Sequence, residues 1–145
     1  MEFALVVPLL CFLLFAIIGY GYMLSFRQAL SQAAAEGARA AAVAPRDTSD
    51  AQLTTRAVQA VNQGLSSYGV TCTAAEVLMR DGEPAGTCDI QVPATTCSGS
   101  TTNARCVKVT LEYTYEDDAL LPSFPGLGIL LPEKLTYTTE AQVNP

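Results

Sequence analysis

From Phe3 to Phe26 no side chain carries a charge. A run of about 24 residues at about 1.5 Å rise forms a helix about 36 Å long, enough to cross the hydrocarbon core of a bilayer. Glu2 precedes the run and Arg27 follows it. A cleaved secretory signal has a basic start, a shorter apolar core and small residues at its end. Here the start is acidic and the alanine-rich stretch follows Arg27. A plain membrane anchor fits the length but leaves the acidic start without a reason.

Glu2 is the anomalous residue. A carboxylate at the lip of an apolar helix is costly in lipid, and such groups are usually kept for function. The positive end of the helix dipole offsets part of that cost. The plainer reading is an interfacial carboxylate in water beside the headgroups. Pro8 removes one backbone hydrogen bond and predicts a kink or a melted turn near Val7. Gly19 and Gly21 are a second weak point, small enough to admit another helix. Tyr20 and Tyr22 stand where aromatic belts sit. Ala29 to Val43 continues in strong helix formers until Pro45. The helix is therefore expected to be about 40 residues and about 60 Å long. Ala33, Ala34, Gly37, Ala38 and Ala40–Ala42 make it thin enough to pack closely on a head. The chain divides on this reading into a helix, 1–44, and a head, 45–145.

In the head, Arg46 to Asp50 carries a helix start, with Ser49 or Asp50 as N-cap. A second helix follows to about Leu65, with Leu53, Ala57, Ala60, Val61 and Leu65 on one face and Gly64 and Ser66–Gly69 ending it. The remainder favours strands: Val70–Met79, an Asp81-Gly82 turn, Thr87–Val92, Val107–Tyr115 and Leu135–Val143. The clearest has Val107, Val109, Leu111, Tyr113 and Tyr115 on one face and Lys108, Thr110, Glu112 and Thr114 on the other. Three or four antiparallel strands on the C-terminal half of the long helix give an α+β head.

Of the five cysteines, Cys11 lies in the apolar run. Cys72, Cys88, Cys97 and Cys106 lie in the head, and beyond a membrane segment they point to two disulfides in an oxidising compartment. A Cys97–Cys106 bridge would tie off the polar loop between them and leave Cys72 with Cys88; spacing alone does not prove either pairing. A zinc site is disfavoured, since there is no Cys-x-x-Cys pair and no histidine. Ala119 to Pro132 is a proline- and glycine-broken apolar loop. It reads either as a flap closing the head core or as a subunit contact or membrane-grazing patch carrying Leu120, Leu121, Phe124, Leu127, Ile129 and Leu130.

Several functions are excluded or disfavoured. The net charge is −6 and the few basic residues are scattered, which argues against nucleic acid as a partner. The missing histidine removes the commonest general base and metal ligand. Glu116, Asp117 and Asp118 form an acidic cluster without a calcium-loop pattern, and read as a solvated strand end. No phosphate loop or nucleophile elbow is present. The chain is expected to be no enzyme and to need no cofactor.

Glu2-Phe3-Ala4-Leu5-Val6-Val7-Pro8-Leu9-Leu10, with the Ala-rich, Arg-bearing block of Ala33–Ala42 downstream, resembles the start of TadE-like pilins, the tight-adherence branch of the type IV pilus superfamily. The resemblance covers roughly the first 43 residues. It implies a pilin subunit, minor or major, cut by a prepilin peptidase, held in the inner or plasma membrane and drawn by an assembly platform into an extracellular helical filament of pilin subunits used for adhesion. It also implies that the Glu2 carboxylate meets the N-terminal amine of a neighbouring subunit in an apolar filament core. In the family a cleaved Gly lies a few residues before this Glu; here Met1 stands directly before it. The competing reading is a single-pass membrane protein whose head binds a partner outside the cell.

Overall fold

The computed structural model describes residues 2–45, 47–94, 97, 105–115 and 132–143. Helix α1, Glu2–Ala42, is a single element of 41 residues and runs through Pro8 as helix. Helix α2 spans Asp50–Leu65 and passes into a 3-10 turn, Ser66–Tyr68. Five strands follow: β1 (Val70–Cys72), β2 (Val77–Arg80), β3 (Glu83–Ala94), β4 (Cys106–Thr114) and β5 (Lys134–Gln142). They form one antiparallel meander in the order β1-β2-β3-β4-β5. The C-terminal half of α1 lies over β4 and β5, and α2 lies over β1 and β3. The outcome is the expected α+β architecture, a long N-terminal helix on an antiparallel sheet.

Local chemistry explains the boundaries. Ser49 is the N-cap of α2: its Oγ accepts from the Gln52 N–H while Gln52 Oε1 accepts from the Ser49 N–H, a reciprocal capping box. The buried stripe Leu53, Ala57, Val61 and Leu65 recurs every fourth residue and faces α1 and the sheet. Asp81 (φ 52°) and Gly82 (φ 90°) both adopt left-handed backbone, the geometry that closes a two-residue hairpin between Arg80 and Glu83.

Three expectations need correcting. Val70–Met79 is not one strand but two, β1 and β2, so the sheet has five strands rather than three or four. The break is a tight turn in which the Thr73 N–H and Oγ1 both donate to the Val77 carbonyl and Glu76 takes φ 62°. The third strand begins at Glu83 rather than Thr87, with an irregularity in register opposite Leu78 and Met79. Gly64 lies inside α2 rather than ending it.

Its role is packing. A Cβ on Gly64 would lie 3.0 Å from the Ala33 Cβ, and one on Gly37 would lie 2.7 Å from Val61 Cγ2. Each helix thus offers a glycine to a side chain of the other, which lets α1 and α2 approach closely. The sheet has a matching device at Gly86, where a Cβ would collide with the Glu112 carbonyl of β4. Val107, Val109, Leu111, Tyr113 and Tyr115 are all buried, as their alternation predicts. The opposite face is solvated and polar: Lys108 pairs with Glu140 across the ladder, the Thr110 and Thr138 hydroxyls bond at 3.2 Å, and Lys134 Nζ reaches Glu112 Oε1 at 2.7 Å.

Candidate functional site

The chain changes character between Tyr22 and Met23. Phe3 is 85% exposed, and Leu9, Leu10, Phe12, Leu13, Leu14, Phe15, Ile17, Ile18, Tyr20 and Tyr22 are exposed as well. From Met23 onward a stripe of α1 is sealed into the head: Met23, Phe26, Leu30, Ala33, Ala34, Ala38 and Ala41 are buried. Their spacing of three and four residues keeps them on one helical face. One helix therefore serves as a bare apolar rod and as a core element of the head.

The rod is the candidate functional surface. Among the described residues, α1 alone is long and apolar enough to cross a membrane. Large apolar side chains all round a helix have no stable exposure to water and require lipid or other helices. Glu2 is the first residue of α1, and Pro8 lies one turn and a half further on. Gly19 and Gly21 have open space where a Cβ would stand, so within the monomer they make no packing contact. Cys11 is exposed on the rod and unbridged.

A collar of aromatic residues holds the rod where it enters the head. The Phe26 ring is tilted against Tyr68 at 5.0 Å and edge-on to Tyr113 at 4.8 Å, and Tyr22 meets Tyr68 edge-on at 5.7 Å. The Ser25 and Tyr68 hydroxyls hydrogen-bond at 2.7 Å, and the Arg27 Nε–H donates to the Tyr137 hydroxyl at 2.8 Å. Arg80 donates to the Tyr113 hydroxyl at 3.4 Å. Burial, with a smaller contribution from neighbouring Tyr113, raises the Tyr115 phenol above its ordinary pKa. The sequence shows each of these aromatics but not that β4, β5 and the 3-10 turn converge on one stretch of α1, because all these contacts are long-range.

Two disulfides brace the head. Cys72 bridges to Cys88, linking the edge strand β1 to β3 across β2 on the buried side, and Cys97 bridges to Cys106 at the start of β4. Asn62 of α2 completes the β1 edge: its Nδ2–H donates to the Cys72 carbonyl and its Oδ1 accepts from the Cys72 N–H. A side-chain amide thereby takes the place of a further strand. No group of three or more His, Cys, Asp or Glu among the described residues is placed to hold a metal ion. The apolar loop residues Leu120, Leu121, Phe124, Leu127, Ile129 and Leu130, and the acidic cluster Glu116–Asp118, lie outside the described residues.

No curated protein and no solved structure matches the chain. One family model matches the start of the chain. It covers the whole rod and the part of α1 that enters the head: residues 1–39 match the family model described as TadE-like protein.

Proposed function

We propose that this chain is a pilin subunit of a tight-adherence filament, resident in the inner or plasma membrane before assembly, with its head outside the cytoplasm. The observation that carries the reading is the bare rod. The stretch from Phe3 to Tyr22, at about 1.5 Å per residue, gives about 30 Å, the thickness of a bilayer core. The same surface, transferred from lipid to sister rods, needs no refolding, because the apolar environment is preserved. Gly19 and Gly21 supply sites of close approach between rods, and Pro8 a local loss of one backbone bond. Glu2, at the N-terminus of α1, meets the terminal amine of a neighbouring subunit once a rod leaves the membrane. Such a pair in an apolar core fixes register more than it adds stability. The disulfides keep a small head folded outside the cell.

The test is mechanical release of surface filaments from cells producing the wild-type chain or Glu2→Ala. The wild-type chain should appear in the released fraction, and Glu2→Ala should stay in the membrane with its head folded and its disulfides intact. A wild-type chain that never leaves the membrane would instead make it a single-pass anchored binding domain. Normal release of Glu2→Ala would remove the carboxylate from the assembly step.

A further inference from the structure

Contacts along α1 fix which end of the head faces the rod. Tyr22, Ser25 and Phe26 meet Tyr68, Tyr113 and Tyr115, and Arg27 meets Tyr137. One to two turns further on, Ala33 faces Gly64, and then Gly37 faces Ala57, Val61 and Val109. The opposite end of the head is marked by Arg105 beside Asp50, and by Cys106 opposite Gln142. The rim at the rod end is therefore built from the 3-10 turn, the end of β4 and the start of β5.

We propose that this rim, with Tyr22, Tyr68, Arg27 and Tyr137, is a seating surface that rests in the headgroup layer of a phospholipid bilayer. The proposal rests on the reading of the rod as a bilayer-crossing segment. Two features support it. The rod has no slack: Phe3 to Tyr22 accounts for about 30 Å, so the head begins where the hydrocarbon ends, with no stalk between. The rim also has interfacial chemistry. Phenols combine an apolar ring with a polar tip, and arginine combines an apolar stem with a charged head, the pairing that favours the boundary between acyl chains and water. Asp81, Glu83 and Glu133 are exposed at the same end. The attraction is accordingly interfacial rather than coulombic, and is insensitive to salt and to anionic lipid.

The chain contains no tryptophan, so a single introduced indole reports its own depth. Four full-length variants are reconstituted at low density in phosphatidylcholine vesicles, with or without lipids brominated near the headgroup or near the chain ends. Ser67→Trp and Glu133→Trp place the probe at exposed rim positions, Leu14→Trp in the rod, and Gln142→Trp at the far end of the head. Ser67→Trp and Glu133→Trp should lose emission to the shallow quencher, Leu14→Trp to the deep one, and Gln142→Trp to neither. The rim losses should be the same in high salt and with added phosphatidylglycerol. If the rim probes emit as Gln142→Trp does while Leu14→Trp is quenched, the seating surface is overturned and the span survives. If Leu14→Trp is not quenched, both fall.

Discussion

Phe26 and Tyr113 meet edge to face with ring centroids 4.8 Å apart, and both side chains are completely buried. Phe26 belongs to the helix that forms the rod, and Tyr113 to β4 of the sheet, so this pair is the joint between the two parts. Phe26→Ala should destabilise the head by about 3–5 kcal/mol, the range for removing a buried aromatic ring. Denaturant unfolding of the detergent-solubilised chain measures it. Phe12→Ala, on the bare rod, should leave the head's unfolding unchanged.

Gly37 sets the separation of α1 and α2. A methyl group there would lie 2.7 Å from Val61 Cγ2, so one helix must give way. Gly37→Ala should cost about 1–3 kcal/mol, the range for overpacking a core. Val61→Ala removes the obstructing atom and should recover part of that loss. A double-mutant cycle on the unfolding free energies gives the coupling, and strict additivity would show that the crossing is not glycine-limited.

The two disulfides should contribute unequally. Cys72–Cys88 spans a sequence separation of 16 and Cys97–Cys106 one of 9. Either should stabilise the head by about 2–4 kcal/mol, with the longer loop contributing slightly more. Cys72 and Cys88 are both buried, whereas of the other pair Cys106 is buried and Cys97 only half-buried, so replacing Cys72 and Cys88 with alanine leaves the larger space in the core. Melting of the two double variants should rank them in that order.

Alkaline stability should depend on Tyr115. Its folded pKa lies above the ordinary 10.0 because ionisation would place a charge in the core. The neutral phenol's contribution is complete below the unfolded pKa of about 10 and is lost as pH rises through the higher folded value. Lys134, raised by its hydrogen bond to Glu112, loses its contribution in the same direction and in a neighbouring window. Tyr115→Phe should therefore flatten the fall in melting temperature above about pH 10 without abolishing it.

Much of this architecture is readable from the residues. The charge-free stretch before Arg27 specifies the rod, and the alternation from Val107 to Tyr115 specifies both the strand and its buried face. What escapes is chemistry that local pattern does not encode. The turn between β1 and β2 contains neither glycine nor proline; Thr73 holds it with its own side chain, and Glu76 takes the left-handed backbone. Gly64 carries the usual signal of a helix end, yet it sits within α2 because Ala33 needs the space. Asn62 reads as an ordinary polar helix residue until the fold places it against the β1 edge. The aromatic collar arises from segments as far apart in sequence as Ser25 and Tyr68, or Arg27 and Tyr137. In each of these cases the deciding partner is supplied by tertiary contact.

The unbroken α1 has a mechanical consequence. Apart from the one backbone hydrogen bond that Pro8 removes, tension entering the rod would reach the sheet along helical hydrogen bonds, since α1 continues as helix from Glu2 to Ala42. The element under stress is the interlock of Phe26 with Tyr68, Tyr113 and Tyr115, backed by Leu30 and the alanines behind it. A pull along the axis would have to draw those rings past one another before the helix could slide free, so the strength of the chain in traction would be set by its core.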